Sequence, residues 1–533
     1  MWDIRKILNI RKDENMTTKF TDLKTALSVV KDGDVVVTSG FVGCANPEAL
    51  EKALEDRFLE SQSPKNLTLM YVAGQGDGKD KSVNHFAHKT LLDKVVAGHF
   101  NKAPKLMEMM ANNEVKGYNV PQGALAQMLR NVAGKKPGVI THVGLNTFAD
   151  PRVEGSKVNE ITTEDIVELM EIDGKEYLFY KAMKFDVALI KGSYADERGN
   201  ISMELDAVPT EVLSIAQAVH NCQGKVIVQV NKIVKEGSLD PKLVKIPGIY
   251  VDYIVEVKDP SLKEQAYGID YEAELAGNIR VSLEEDDDEA FPLDAKKVIA
   301  RRAAMELRQG YVANLGIGVP ELVARVAKEE GIGDYATLTV ESGPVGGIPQ
   351  SGSRFGSSVN ADAILDQAYQ FDFYEGGGLD ICFLGLAQAD SFGNLNVSKF
   401  GTRIAGCGGF ISISQNSKKV VFCGTFTAKG LRVEISDGAL KIAEEGKMTK
   451  FKKDVEQITF SGDYARSVGQ PVLYITERCV FELNENGFTL IEIAPGVDMQ
   501  KDILNQMEFT PLISDNLKFM DSRIFVDAPM GLK

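Results

Sequence analysis

Cysteine is scarce in this sequence and follows none of the spacings typical of disulfide-rich or zinc-binding proteins. The 533 residues include six cysteines, and no two of them form a CxxC motif. Scattered cysteines favour free thiols in a reducing compartment over a disulfide framework, and they argue against structural zinc. We therefore expect a cytoplasmic protein without a bound metal. The cysteines are Cys44, Cys222, Cys382, Cys407, Cys423 and Cys479.

The sequence also lacks an excess of positive charge and a long apolar run near its N-terminus. It has 76 acidic and 60 basic residues, a formal net charge of −16, so its overall field repels nucleic acids and anionic membranes. Residues 1–16 mix acidic and basic side chains, which fits neither a signal peptide nor a membrane span. Because Met16 is a second methionine, we interpret 1–16 as an N-terminal extension. An anionic substrate would need a locally positive pocket.

A block of like charges divides the chain. Residues 284–289 are all acidic, and such a block is typical of a solvated linker. The chain is also too long for one hydrophobic core. We therefore predict a first domain over 17–283, a linker over 284–293 and a second domain over 294–533, which opens on a helix capped by Asp294.

The two predicted domains share sequence patterns. Each contains an apolar run, an Ala-Asp turn that ends in Gly-Asn, and a second apolar run at a constant offset. The matching pairs are 34–43 with 311–318, 185–200 with 379–394, and 224–228 with 418–422. The first two of these segments lie much farther apart in the first domain, so we predict an insertion there near 79–181.

Apolar, β-branched runs alternate with helical patterns along both domains. Residues 47–54 and 320–326 have the apolar spacing of helices that follow such runs. The alternation predicts an α/β fold of two related open domains, each with a largely parallel sheet covered by helices. Ligands of such sheets bind at the carboxyl ends of the strands.

A glycine-rich loop at 316–320 joins a predicted strand to a predicted helix. Pro320 falls in the first turn of the helix, where backbone N–H groups can face an anion. The loop lacks the Lys-Ser/Thr ending of a P-loop and the full spacing of a dinucleotide fingerprint. Gly316 and Gly318 are thus candidates for binding an anionic cofactor, and a tight turn between strand and helix is an equal alternative.

A second strand ends on a carboxylate. The apolar run 336–340 leads into Glu341, and Ser342, Gly343 and further small residues follow. These small residues leave room for a ligand to approach the carboxylate closely. Glu341 is therefore a candidate catalytic residue; on the residues alone, a solvated charge or a helix cap is the more frequent role of such a glutamate.

Several segments together resemble one enzyme family. Residues 341–343, 393–396 and 406–410, with the repeated halves, are similar to the family I coenzyme A transferases, in which two related α/β domains are fused. Within that family the chain most resembles the acetate and propionate CoA-transferases. The segments that carry this closer resemblance are 121–123, 144–152 and 500–509.

The resemblance implies a reaction and its covalent intermediate. A glutamate at the position of Glu341 attacks an acyl-CoA to form an acyl-glutamyl anhydride, and the CoA thiolate returns to give a glutamyl-CoA thioester. An incoming short-chain carboxylate then reverses the sequence, with ping-pong kinetics. The resemblance also implies acyl-CoA as a substrate, no tightly bound cofactor and a homo-oligomer, with a tetramer as one option.

The resemblance also implies roles for other residues. Gln122 and a backbone N–H at Gly408 or Gly409 are the expected oxyanion donors, whereas a capping amide and a tight bend are the plainer alternatives. Asn394 and Asn396 are expected CoA contacts, although Asn200 at the matching place in the first half is equally consistent with turn chemistry. The basic residues that could bind CoA phosphates are Lys399, Arg403 and Lys429.

Two alternatives to CoA transfer remain on sequence grounds. An acyl-CoA hydrolase would differ only in admitting water to the intermediate, and a non-catalytic acyl-CoA-binding protein would leave Glu341 without a role. Cys407 lacks a histidine nearby in sequence that could activate it, and His85 and His88 lack the further ligands of a zinc site. The choice among acetate, propionate, lactate and butyrate is not readable from the sequence.

Overall fold

Two large β-sheets with helices packed against them form the protein. The computed structural model describes residues 19–282 and 291–533. The predicted N-terminal extension, 1–16, and residues 284–290 of the predicted linker lie outside the described residues. No helix within the described ranges is long and apolar enough to cross a membrane.

Twelve strands lie within the described residues of the first half. They are β1 Val35–Thr38, β2 Leu67–Tyr71, β3 Leu92–Ala97, β4 Lys116–Asn119, β5 Gly138–Thr141, β6 Val167–Ile172, β7 Lys175–Lys181, β8 Val187–Asp196, β9 Ile201–Ser202, β10 Lys225–Val234, β11 Val244–Ile246 and β12 Tyr253–Glu256. Strands β4-β3-β2-β1-β8-β10-β12 lie side by side and are parallel, and β9 and β11 extend the sheet from β8. β8 is apolar at its start and buried along nearly its whole length, as expected of a parallel strand covered on both faces.

The second half contains the remaining strands of the described chain. They are β13 Tyr311–Leu315, β14 Ala336–Thr339, β15 Pro344–Val345, β16 Ile348–Pro349, β17 Ser358–Val359, β18 Ala363–Ile364, β19 Ile381–Gly385, β20 Gln388–Ala389, β21 Leu395–Asn396, β22 Lys399–Phe400, β23 Arg403–Ile404, β24 Val420–Cys423, β25 Thr427–Ala428, β26 Arg432–Ser436, β27 Ala439–Glu444, β28 Met448–Thr449, β29 Val472–Ile475, β30 Cys479–Asn484, β31 Gly487–Ile493 and β32 Leu512–Phe519. The large sheet runs β18-β15-β14-β13-β19-β24-β29-β30-β31-β32. Its middle, from β14 to β29, is parallel.

The two sheets repeat one arrangement. The order β2-β1-β8-β10-β12 in the first matches β14-β13-β19-β24-β29 in the second. The pairing registers also match, because Val35 faces Thr68 in the first sheet as Val312 faces Thr337 in the second. The predicted α/β class with two related, largely parallel sheets is confirmed. Counting along the equivalent strands places Val72 where the second half has Glu341.

Ten α-helices connect or cover the strands in the described residues. They are α1 Leu23–Leu27, α2 Glu48–Ser61, α3 Pro104–Ala111, α4 Gln122–Ala133, α5 Val212–Asn221, α6 Ala295–Ala304, α7 Leu322–Glu329, α8 Gln367–Glu375, α9 Phe410–Asn416 and α10 Gly462–Ser467. Asp294 caps α6 by accepting a hydrogen bond from the backbone N–H of Lys297, 2.9 Å away. One buried apolar cluster includes residues of both halves, so the two sheets share part of their core.

The segment 79–181, predicted as an insertion, carries several elements between β2 and β8. β3 and β4 extend the first sheet, β5 to β7 form a separate three-stranded sheet, and α4 follows β4 directly. The position of α4 matters most for function, since its first residue is Gln122.

Candidate active site

A cavity of about 260 Å³ lies between the two halves, where the carboxyl ends of both parallel sheets meet. Its walls include residues at or just after the carboxyl ends of β1, β2, β3 and β4 in the first half and of β13, β14 and β19 in the second, together with residues 406–410. Loops from opposite sheets thus meet at one place, as the ligand rule for open α/β sheets predicts. Glu341, Gln122, Gly316, Gly408 and Gly409 all line this cavity.

A tight turn between β14 and β15 presents Glu341. The N–H of Gly343 donates to the carbonyl of Val340 at 3.0 Å. Gly343 has φ of +134°, and a Cβ atom there would lie 2.0 Å from the carbonyl oxygen of Leu365, so only glycine fits. The Ser342 hydroxyl donates to the carbonyl of Gly356 and ties the turn to the next loop. Glu341 is therefore held by a constrained backbone.

The Glu341 carboxyl is basic for a glutamate. Burial raises its pKa above the ordinary value, and hydrogen bonds from its own backbone N–H and the Asn314 side chain offset part of that rise. Asn314 in turn donates to the carbonyl of Thr339 at 3.2 Å, and the Tyr374 hydroxyl donates to Oγ1 of Thr339 at 2.9 Å. Asn314 and its neighbours thus orient a carboxylate that retains nucleophilic character.

Gln122 lines the same cavity from the other half. Its backbone N–H donates to the carbonyl of Gly408 at 3.1 Å, which ties the start of α4 to the second half. Its side-chain Nε2 atom is buried without a hydrogen-bond partner among the described residues. A buried amide without a partner costs free energy unless a ligand satisfies it. The Gln122 amide is thus a ready donor in the cavity wall.

The glycine segment before α9 supplies a second donor. The N–H of Gly408 donates to the carbonyl of Gly98 at 2.7 Å, whereas the N–H of Gly409 finds no acceptor within the described chain. A Cβ atom on Gly409 would lie 3.5 Å from Cγ of Glu341, so this backbone runs beside the carboxylate. Of the two predicted glycines, Gly409 has the available N–H, and Gly408 joins the two halves.

Cys407 lines the same cavity without the features of a nucleophile. Burial raises the pKa of its thiol well above the ordinary value. Its sulfur lies 3.8 Å from the carbonyl oxygen of Gly98 as a thiol donor, and its N–H donates to Oδ1 of Asn119 at 2.9 Å. Cys407 therefore lacks the lowered pKa of an activated thiol.

The structure brings only part of the predicted CoA-binding set to the cavity. Gly316 lines it, but the exposed Gly318 and the exposed Lys429 do not. Of the other basic candidates, Arg403 donates to Oδ1 of Asn101, a cavity residue, at 2.6 Å. Arg403 therefore lies at the cavity's edge.

Both predicted asparagines are used inside the fold. Nδ2 of Asn394 donates to Asp390 at 3.0 Å, and its Oδ1 accepts from the N–H of Gly462 at 3.0 Å. Asn200 makes the same contact with Asp196 at 2.9 Å. The structure favours the turn interpretation for this repeated pair.

Asn396 is fully buried, and its amide bonds to Gln388 and to the backbone of residues 398 and 399. Neither Asn394 nor Asn396 belongs to the cavity wall.

Most of the other cavity residues were not predicted from the sequence. Asn314 lies inside an apolar strand, and Phe41, His99, Lys102 and Phe355 lie in loops without a recognisable motif. Phe41 and His99 each lie within three residues of the end of a parallel strand, β1 and β3, where ligands of such sheets bind; of the two strands, only β1 was predicted from the sequence. The rings of Phe41 and Phe355 pack at 5.7 Å and bring the two halves together.

His85 and His88 lie away from this cavity in a network of carboxylates. His85 contacts Glu48 at 3.0 Å and Glu55 at 2.5 Å, and His88 contacts Glu55 at 2.6 Å. Within the described ranges no group of three or more such side chains has the arrangement of a metal site.

Comparisons with known proteins agree on one family. A family model for coenzyme A transferases matches residues 20–257. The chain is 46% identical to acetate CoA-transferase YdiF of Escherichia coli K12, over 92% of this chain and 91% of that protein. It is 47% identical to caffeate CoA-transferase of Acetobacterium woodii, over 96% of this chain and 98% of that protein.

A solved structure shows the same fold along almost the whole chain. The crystal structure of acyl-CoA transferase YdiF from Escherichia coli O157:H7, as a thioester complex with CoA, superposes with a TM-score of 0.90 at 44% identity. The match covers 96% of this chain and 97% of the crystallised one.

Proposed function

Because this protein belongs to the coenzyme A transferase family and transfers CoA between an acyl-CoA and a carboxylic acid, we propose that Glu341 carries the CoA as a covalent thioester. One observation carries the proposal. A carboxylate with a raised pKa on one half lies beside the backbone of Gly409, whose N–H is available, and lines the same cavity as Gln122 of the other half, whose side-chain amide has no partner in the described chain. These are the groups that acyl transfer to a carboxylate needs.

The reaction proceeds in two exchanges. A Glu341 oxygen attacks the thioester carbonyl carbon, the carbon–sulfur bond breaks, and the electron pair leaves on sulfur, giving an acyl-glutamyl anhydride and a CoA thiolate. The thiolate attacks Cδ of Glu341 and releases the first acid as its carboxylate. Gln122 and Gly409 donate to the oxyanion of each tetrahedral intermediate. The second acid then reverses both steps, which predicts ping-pong kinetics.

We place the acids in the short-chain class of acetate, propionate and butyrate. Phe41, Val42, Phe355 and Ile317 give the cavity an apolar wall suited to a short alkyl group. The E. coli relative is an acetate CoA-transferase, which supports this class. We retain the homo-oligomer as a proposal, to be tested by light scattering.

Trapping the intermediate tests the function. Incubation with acetyl-CoA and no acceptor acid should leave one CoA on the peptide that contains Glu341, and acetate should remove it. Glu341→Gln should form no adduct and lose turnover while keeping the fold, because an amide has the shape but not the nucleophile. Glu321→Gln, the same change outside the cavity wall, is the matched control.

The same experiment separates the alternatives. Steady loss of acetyl-CoA without an adduct favours the hydrolase. An adduct on Cys407 would keep covalent catalysis and replace the nucleophile, and binding without either outcome would indicate a non-catalytic protein.

A further inference from the structure

His99 is a cavity residue to which the proposed reaction gives no role. It follows β3 by two residues, and its backbone pairs with that of Gly406 across the two halves. A Cβ atom on Gly74 would lie 2.7 Å from its Nδ1, and one on Gly408 would lie 3.7 Å from its Cδ2. The ring is thus confined between two glycine backbones, with its Cδ2 edge toward the glycine segment that begins the α9 wall.

The ring nitrogens of His99 are available to a ligand. Neither nitrogen has a hydrogen-bond partner in the described part of the chain, although the ring lines the cavity. Burial, and then the charges of Lys102 and Arg403, lower its pKa to about 4. The imidazole is therefore neutral near about pH 7 and can donate one N–H.

Positive charge surrounds this ring. Lys102 belongs to the same loop as His99 and lines the cavity. Arg403 belongs to the second half and lies at the cavity's edge, where it donates a hydrogen bond to the cavity residue Asn101. The corner formed by His99, Lys102 and Arg403 thus combines one neutral donor with two cations. Such a corner favours an anion in the cavity.

We propose that His99 holds the departing CoA thiolate through an N–H···S hydrogen bond, with Lys102 and Arg403 supplying the surrounding positive field. The proposal rests on the proposed function, in which negative charge moves from the Glu341 oxygen to the CoA sulfur as the carbon–sulfur bond breaks. Gln122 and Gly409 serve the carbonyl oxygen, so the sulfur needs a separate donor. The His99 ring lies close to both of these donors. Gly408, whose carbonyl accepts from the backbone N–H of Gln122 and which precedes Gly409, is also beside the ring of His99.

A neutral donor suits this step better than a charged one. An ordinary thiol has a pKa of about 8.5, so an imidazolium would transfer its proton to the thiolate. The resulting thiol could not attack the anhydride, since the thiolate is the nucleophile. A neutral imidazole stabilises the thiolate and leaves it unprotonated for its return to Cδ of Glu341. Triosephosphate isomerase offers a precedent for a catalytic neutral histidine.

The test compares thioesters whose leaving thiols differ in acidity. Single-turnover rates of Glu341 acylation are measured with acetyl-pantetheine and with the acetyl ester of a more acidic aromatic thiol. We expect His99→Ala to slow the first by about 100-fold, the usual loss for one donor to developing charge, and the second far less. The thiolate of a more acidic thiol is the more stable anion, so its departure depends less on a hydrogen-bond donor.

Two further variants keep the result interpretable. His99→Gln retains an N–H donor and should recover most of the rate, and His220→Gln, on the exposed surface, should match the wild type. Thermal midpoints establish that each variant folds. Equal rate losses with both thioesters would indicate that His99 donates to the carbonyl oxygen and not to the sulfur, and would overturn the proposal. No rate loss with either thioester would also overturn it.

The pH profile gives an independent check. Between about pH 5 and pH 8, the pH–rate profiles of the wild type and of His99→Gln should have the same inflections, because His99 is neutral throughout this range. An inflection that is present in the wild type and absent from His99→Gln would show that His99 titrates in this range, and would overturn the neutral-donor role. If the wild type forms no adduct at Glu341, the proposed function fails instead, whatever the His99 variants do.

Discussion

At the scale of single residues, Gln122 offers the clearest separation of binding from chemistry. Its amide has no partner in the described chain, so substitution by alanine removes a donor without breaking a hydrogen bond of the folded protein. We expect Gln122→Ala to lower kcat by about 100- to 1000-fold with little change in KM, because the donor acts on charge that develops in the transition state. Steady-state kinetics with acetyl-CoA and propionate measure both constants.

Gln127 provides the control on the same helix. It bonds to Asp372 and to the backbone of Ala368, away from the cavity, so Gln127→Ala tests disturbance of α4 without loss of the donor. A change confined to KM in Gln122→Ala would make Gln122 a residue that positions substrate in the ground state.

Sequence patterns predicted some site residues and not others for a physical reason. The apolar strand that ends on Glu341 made it a candidate, and the family resemblance gave Glu341, Gln122 and Gly409 their expected roles. The asparagines 394 and 396 match the same resemblance, but an amide's availability depends on which backbone groups the fold brings to it. Asn314 was unreadable because it lies within a buried strand.

At the scale of elements, the turn between β14 and β15 depends on Gly343. An alanine there would place Cβ against the carbonyl of Leu365 and adopt a φ that side chains rarely tolerate, so the turn must move. We expect Gly343→Ala to lower kcat on the order of 100-fold, since a displacement of about 1 Å at a catalytic group has that effect. Calorimetry should also show a lower Tm.

Gly487→Ala separates backbone strain from the steric contact. Gly487 has a similar φ of +127°, but the atom nearest to a Cβ there is Cδ1 of Leu512 at 3.7 Å. This control should lose some stability and no activity. Equal activity of both variants would show that the Glu341 turn tolerates displacement.

The order of elements was more predictable than their ends and edges. Matching apolar runs identified β1 with β13, β8 with β19 and β10 with β24, since buried parallel strands carry a strong hydrophobic pattern. The three-stranded sheet of β5 to β7 was not predicted, because its strands are partly exposed and β5 pairs with the distant β7. The Asp173-Gly174 turn that joins β6 to β7 was a local hairpin signal in the sequence that was not recognised. The contacts between the two halves, which form the cavity, were also not predicted from the sequence.

At the scale of the whole molecule, the network around His85 predicts how stability depends on pH. Burial opposes a charge on His85, but Glu48, Glu55 and other neighbouring carboxylates outweigh it and raise its pKa from 6.5 to about 9. Burial raises the pKa of Glu51 to about 8. For both groups the folded-state pKa exceeds the ordinary one, so the folded protein binds more protons than the unfolded chain and loses stability as pH rises, from 4.5 to about 8 for Glu51 and from 6.5 to about 9 for His85.

We therefore expect Tm to fall as pH rises from about 6.5 to about 9. His85→Gln should lower Tm at the acid end of this window by a few degrees and flatten the profile. Differential scanning calorimetry at several pH values measures this, with His220→Gln as the control. If Tm of His85→Gln fell with pH as steeply as Tm of the wild type, groups other than His85 would cause the pH dependence.

The matching registers of the two sheets bear on stoichiometry. Val72 occupies, in the first half, the strand-end place that Glu341 occupies in the second, and a valine has no nucleophilic atom. In the proposed mechanism the repeated fold therefore carries one nucleophile: the second half contributes Glu341, and the first contributes Gln122 and His99 from the edge of its own sheet. That mechanism predicts saturation at one covalent CoA per polypeptide and no activity of either half alone.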